Sequence, residues 1–525
     1  MTKKQRDRAR RDFLKQARRC YYRNEYDSAV SGYTEAISLS PDYAIAYQGR
    51  GDAYYLKGEY DSAIGDYTEM IRQIPDFAKR YNLNKLYEIP SLEEAYCKRG
   101  DAYCRKEEYD SAVRDYNEAI RLYLDDSAPE RYCRNHLHLR QSKAEDDRHD
   151  EYYAFIAENG RWIRDALHMQ IAEAYQKRSH AYFMKKEYDL AIMDYTEMIR
   201  LFPHRADFYC GRADICGEMG DDESAEREYS EALKHFPDFP AACNRRGMAR
   251  HRMGKHEEAL SDFNDAIRLA PNFAAACVNR GRLYCEMERF DEAHADFSEA
   301  IRIDPEFSEA YADRAWACAN LGHHAEAVEA LSEAIRRDPN PTGYYLNRGR
   351  LCVELERYEE AVSDFNETIL RNPQFAWLYS ERALAHMFLE QTEEALSDLN
   401  EAIRLEPECA EYYRNKSIVH SCCEQYDEAM ANLDTAVKLD PNDVENFLSR
   451  GNAFCEKERY EDAVNDYTEA IKLAPGEGGI YSLRGEACRA LGRYSCAIED
   501  FETALLLDPE DEEARAALQE MLGRG

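Results

Sequence analysis

Apolar residues recur along this chain at spacings of three and four, in blocks separated by short polar turns. Each block predicts an amphipathic helix, and the short turns make successive helices antiparallel. A longer beat lies over this one. Proline returns every 34 residues from Pro203 through Pro237, Pro271, Pro305, Pro339, Pro373, Pro407, Pro441 and Pro475 to Pro509, and Pro41 and Pro75 keep the same interval. A fixed period of that length predicts a stack of near-identical units, each a pair of helices.

With Pro271 as position 32 of its unit, Gly247 is position 8, Ala259 position 20, Phe263 position 24 and Ala266 position 27. The frame yields thirteen units. Position 8 is small throughout, as in Ala17, Gly51, Gly281 and Gly485. Position 20 is alanine in all thirteen units, and position 24 is Tyr, Phe or Leu. Small residues at 8 and 20 let the two helix axes approach, with residue 24 packed alongside. A bulkier side chain at Ala259 would overpack that contact by roughly 1–3 kcal/mol. The turn carries Gly or Glu, as in Lys57-Gly58-Glu59-Tyr60-Asp61, and the proline stops the second helix.

Small–Ala–aromatic–Ala–Pro at this period resembles the tetratricopeptide repeat family, over about four-fifths of the chain. The resemblance implies an all-α fold: a right-handed superhelical solenoid of antiparallel helix pairs, about thirteen repeats plus a C-terminal capping helix. One departure stands out. Where the family often has leucine before the small residue, this chain has Arg50, Arg99, Arg178, Arg212 and Arg246, while position 23 is mostly Asp, as in Asp66, Asp115, Asp262, Asp364 and Asp466. Such a pairing predicts an Arg–Asp bridge between the two helices of a unit.

The period breaks twice, at 78–92 and 127–171. The expected organisation is a basic N-terminal extension at 1–9, repeats one and two at 10–77, the short insert, repeat three at 93–126, the long insert, repeats four to thirteen at 172–511, and a capping helix and tail at 512–525. In the long insert Tyr152, Tyr153, Phe155, Ile156, Trp162 and Ile163 fall at helical spacings, which predicts an added helix or helical hairpin. It would either bridge units three and four or serve as a partner-binding arm. At the other end Ala514, Ala517, Leu518 and Met521 share one side of Asp511–Leu522, as a capping helix requires.

Composition narrows the partners. The formal charge is −34, with 103 acidic and 69 basic residues. Such a field repels nucleic acid and steers in a basic peptide or protein face. It also simply keeps a long exposed solenoid in solution. The 17 cysteines recur at fixed helix positions, with Cys216, Cys318, Cys352 and Cys488 at position 11. They read as packed thiols, and with no secretory signal or apolar run of membrane length the expected location is cytoplasmic.

No constellation for catalysis, a metal or a cofactor emerges. Cys133, His136 and His138 match no zinc ligand spacing, His323 and His324 point about 100° apart on a helix, and Pro475-Gly476-Glu477-Gly478-Gly479 lacks the lysine of a phosphate loop. Enzymatic activity is therefore not expected.

The resemblance implies that positions 2, 5, 9, 12 and 13 of each first helix line a groove. Acids outnumber bases there: Asp52, Asp101, Asp214, Glu411, Glu445 and Glu456 stand against Arg282, Arg350 and others. Units eight to ten add Trp316, Leu346, Trp377, Leu384, Met387 and Phe388. Exposed aromatic and Met clusters concentrate interface energy, although the same residues could pack between neighbouring first helices. Asn279, Asn347 and Asn415, at position 6, are placed to bond a peptide backbone. A second stretch near the inserts holds Tyr21, Tyr22, Tyr55, Leu56, Phe183 and Met184. The expected function is a non-enzymatic scaffold or adaptor binding an extended peptide or helix. The alternative is a regulatory or structural subunit that docks an enzyme through its inserts and convex face.

Overall fold

The structure, a computed structural model, describes residues 1–80, 91–125 and 147–523. Among them the chain is entirely helical, with 27 helices and no strand. Thirteen antiparallel pairs are followed by one terminal helix, Glu512–Gly523. The centre of the short insert and residues 126–146 of the long one, with Cys133, His136 and His138, lie outside the described residues. Two compact bodies divide the chain. Met1–Pro271 holds units one to six, and Asn272–Gly525 holds units seven to thirteen with the cap.

Within a unit the contact between helices is built on absent side chains. Alanine 20 is fully buried in nearly every unit, including Ala63, Ala259, Ala293 and Ala463 at 0% exposure. Position 8 lies directly beneath the ring of position 24. A Cβ added at Gly281 would sit 2.7 Å from Cε1 of Phe297, and one at Gly451 would sit 2.6 Å from Cε1 of Tyr467. Real carbon contacts are never that short, so the ring dictates glycine. Units one and four carry Ala17 and Ser179 at position 8, and there the rings of Tyr33 and Tyr195 lie against Gly49 and Gly211, position 6 of the next unit. Where position 8 is Ala315, Ala383 or Ser417, position 24 is the narrower Leu331, Leu399 or Leu433. Unit five departs from this rule: Ala213 coexists with Tyr229, whose phenol donates to Asp214.

The expected Arg–Asp bridge forms in nine units. Arg348 donates Nε and Nη2 to Asp364 at 2.8 and 2.7 Å, and its Nη1 reaches Ser332 Oγ on the preceding second helix at 2.9 Å. One guanidinium thus ties three helices together. The aspartates are buried, and burial pushes the carboxyls of Asp66 and Asp194 up although Arg50 and Arg178 oppose it. A buried bridge of this kind fixes register more than it adds stability. Unit five substitutes Glu228 for the aspartate. Units one, eight and eleven pair Gln16 with Gly32, Arg314 with Ala330 and Lys416 with Asn432 at the same two positions, so the bridge is missing.

Two further devices repeat. The residue at position 15 is left-handed in every unit, closing the turn: glycine at Gly58, Gly220, Gly254, Gly322 and Gly492, and a residue with a side chain in the other eight. The stop proline also offers its carbonyl to a tyrosine at position 4 of the next unit, as Pro305 does to Tyr311 (3.3 Å) and Pro373 to Tyr379 (3.1 Å).

Pro75 corrects the expectation that every such proline stops a helix. Tyr60–Arg80 runs through it. Elsewhere the chain must reverse within a few residues to begin the next unit; after Pro75 the short insert removes that demand. The described part of the long insert is helical too, fused with the first helix of unit four as one 38-residue helix, Asp147–Met184. At the C-terminus Ala514 and Ala517 are buried against Cys488, Phe501 and Ala504, with Leu518 and Met521 packed at the edge.

Candidate functional site

The aromatic residues expected in units eight to ten separate into two kinds. Trp316 and Phe388 are about half exposed, at 51% and 53%. Trp316 meets the edge of Phe290 at 5.6 Å, and Phe388 stacks on Tyr358 at 4.8 Å and 12°. Phe290 and Tyr358 open the second helices of units seven and nine, so each exposed ring extends an aromatic step from the unit before it. The others pack between helices. Trp377 lies against Ala402 and Tyr412, Leu346 against the cluster of Leu331, Cys352 and Phe365, and Met387 against Leu399 and Val419. Leu384 is half-buried. Arg350 sits 5.3 Å from the Trp377 ring and pairs with Glu381 at 2.7 Å.

The asparagines diverge as well. Asn347 is exposed and Asn279 half-buried. Asn415 is only 7% exposed and donates its amide to Ser380 Oγ at 3.0 Å. It is therefore an interhelical strut rather than a group offered to a peptide, because its amide is buried and bonded inside the stack.

The first body holds a cleft of about 500 Å³ between units one to four. Tyr21, Tyr55, Tyr67 and Tyr123 line it, together with two salt-bridged lysines. Lys98 Nζ lies 2.8 Å from Asp52, and Lys177 Nζ lies 2.9 Å from Asp101. The Tyr67 and Tyr116 phenols donate to the same two carboxylates, each at 2.8 Å. Burial opposes the Lys98 charge, yet Asp52 and Glu94 hold the ammonium above the ordinary lysine range. Burial and then the Asp52 carboxylate push the Tyr67 phenol far up. Lys98 therefore keeps its charge and Tyr67 its proton, so the cleft offers fixed groups rather than a proton relay. Ser91 and Gln170, at the ends of the two inserts, also reach it.

The charge pairs follow a register that the order of residues alone did not disclose. In three units of the first body an acid at position 9 pairs with a base at position 6 of the next unit: Asp52 with Lys98, Asp101 with Lys177, Asp214 with Arg245. In two units of the second body, seven and nine, the signs exchange. Arg282 pairs with Asp313 at 2.7 Å, and Arg350 with Glu381. Counting acids at groove positions therefore overstates the free negative charge, since neighbouring units neutralise much of it. Comparing positions 6 and 9 across successive units would have revealed the pairing.

Models of the family described as "Tetratricopeptide repeat" match residues 93–126 and 240–273, and another of that description matches 278–341, 319–376, 380–444, 424–477 and 448–512. A model described as "TPR repeat" matches 17–58. The chain belongs to the tetratricopeptide repeat family. No curated protein matches this tetratricopeptide repeat chain in sequence. Among solved structures it is similar to a chain of the APC/C hetero-tetramer Cut9-Hcn1, at 17% identity over 91% of this chain and 96% of that one, with a TM-score of 0.34. YrrB, titled a TPR protein with an unusual peptide-binding site, is 20% identical over 37% of this chain and 99% of its own, with a TM-score of 0.29. MamA from Desulfovibrio magneticus RS-1 is 21% identical over 31% of this chain and 93% of its own, at 0.30. No helix among the described residues is long and apolar enough to cross a membrane.

Proposed function

We propose that this tetratricopeptide repeat protein is a non-enzymatic scaffold that binds an extended peptide or a helix along its first helices, with units eight to ten as the centre. The observation that carries this reading is the pair of half-exposed rings, Trp316 and Phe388, each braced from beneath by another aromatic. A braced ring gives up little conformational freedom on binding, and large rigid aromatics are where interface energy concentrates. Asn347 and Arg350 lie on the exposed side of the helix between them. Farther along, Glu411, Glu445 and Glu456 are exposed at groove positions and give this stretch its acidic character. The partner that fits is a segment with bulky apolar side chains flanked by basic residues.

The test is capture with quantitative mass spectrometry, followed by titration of the enriched partner. Trp316→Ala and Phe388→Ala should each weaken its affinity at least about thirtyfold, the loss that marks a hot-spot residue, and added salt should weaken it further. Unchanged affinity in both variants removes units eight to ten as the centre. A second reading, a subunit that docks an enzyme through its inserts, draws support from the first-body cleft that Ser91 and Gln170 border. Deleting residues 127–171 restores the 34-residue spacing. Loss of one partner upon that deletion, with the Trp316-dependent partner retained, would favour docking.

A further inference from the structure

We propose that unit eight carries a zinc-class metal site formed by His294, Cys318 and Glu326. The three residues come from three helices: Phe290–Ile303, Ser308–Asn320 and His324–Arg337. Their ligand atoms all lie within 4.8 Å of one another, and His294 Nε2 stands 3.1 Å from a Glu326 oxygen. Bonds of 2.0–2.3 Å in tetrahedral geometry place ligand atoms roughly 3.3–3.8 Å apart, so the His294–Glu326 pair lies just inside that spacing and the set needs only small side-chain adjustments around an ion. Imidazole, thiolate and carboxylate together suit zinc, and three protein ligands leave a fourth position for water or a substrate atom. Glu326 also borders a cavity of about 680 Å³ lined by His323, His324 and Glu354, which gives an ion a route in.

The register sets unit eight apart. Cysteine stands at position 11 in five units, but only units eight and nine add glutamate at position 19, as Glu326 and Glu360. The third ligand must come from position 21 of the preceding unit. That residue is His294 for unit eight and Val328 for unit nine. A search for ligands close together in sequence passes over this set, because its members are 24 and 8 residues apart and meet only through stacking.

The donor set fits metal loading. The Cys318 thiol, fully buried, carries a proton that an incoming ion must displace. Binding transfers that proton to solvent and forms a sulfur–metal bond, with no change of oxidation state. Thiolate and carboxylate then supply two negative charges against the ion. Unit eight also lacks the aspartate that elsewhere neutralises the position-7 arginine. Ala330 stands in its place, and the buried Nε of Arg314 has no hydrogen-bond partner among the described residues.

Cobalt reports this directly, because a thiolate bound to Co²⁺ gives a charge-transfer absorption that zinc does not. The untagged full chain, stripped with chelator and titrated with Co²⁺, should develop that band with one equivalent and lose it on adding Zn²⁺. Cys318→Ser should abolish it. Cys352→Ser, at the same position of unit nine, should leave it intact. Even outer partners of ligands are worth 10–100-fold in affinity, so His294→Ala and Glu326→Gln should weaken binding more than about a hundredfold. Both side chains remain partly exposed, so these two variants decide the matter should the buried serine prevent folding. A band that is absent from the wild-type chain, survives Cys318→Ser, or falls equally in Cys352→Ser overturns the site.

Discussion

Gly281 shows how one missing carbon governs a unit. The Phe297 ring fills the space its Cβ would take, so a side chain there must displace a fully buried ring. Gly281→Val should cost about 1–3 kcal/mol through overpacking alone, with more from lost helix contact, and a shifted denaturation midpoint at unchanged slope would record it. Gly65, with nothing near its Cβ, is the internal control: Gly65→Ala should stabilise by up to about 1 kcal/mol, since alanine is the better helix former. A comparable loss at both positions would mean that ring contact is not what selects glycine. The pairing of small residue and ring was legible in the sequence because it recurs. The compensation at Gly49 and Gly211 was not, because it links positions belonging to different units.

At the level of the element, the turn between paired helices asks for a left-handed residue in every unit, yet besides five glycines, Asn24 and Lys186, six units place glutamate there: Glu107, Glu288, Glu356, Glu390, Glu424 and Glu458. A residue with a Cβ in that conformation costs about 1–2 kcal/mol against glycine, while glycine loses some of the gain through a more mobile unfolded chain. Glu390→Gly should therefore raise stability by about 0.5–1 kcal/mol, read as a higher unfolding midpoint; a lower midpoint would show that the glutamate side chain holds the turn. The helix pairs, turns and cap were readable from periodicity, since each unit states the same rule again. Tyr60–Arg80 escaped it: proline stops a helix only where the chain must also reverse, and the insert lifts that condition. Groove positions were read with the same limit. Periodicity places Trp316 and Trp377 on comparable faces, but whether a ring stays exposed depends on what the adjacent unit brings against it, and the Ala402 and Tyr412 cluster covers one of them. Asn415 fell to the same cause, a serine on the neighbouring helix.

For the molecule as a whole, a solenoid's stability is close to a sum of unit and interface terms, so it opens where those terms are weakest. Unit eleven, like unit eight, lacks the common tie and is one such place in the second body. Its position-7 residue, Lys416, donates to Asn400 of the preceding unit at 2.8 Å, while Asn432 at position 23 turns its amide to its own backbone at Glu428. The two helices of the unit, Ala410–Cys422 and Tyr426–Leu439, thus lack the bidentate tie that Arg450 and Asp466 provide in unit twelve. Leu433 in place of the Tyr467 ring also covers less apolar surface between them. Amide hydrogen exchange should be faster across 410–439 than across 444–473 under native conditions. Lys416→Arg combined with Asn432→Asp, which writes the common pair into unit eleven, should narrow that gap. Slower exchange in unit eleven than in unit twelve, or a gap untouched by the double variant, would mean that helix packing alone sets local stability. The Arg–Asp tie would then serve only to align the helices, which is what the desolvation cost of a buried ion pair leads one to expect if its charges contribute no net stability.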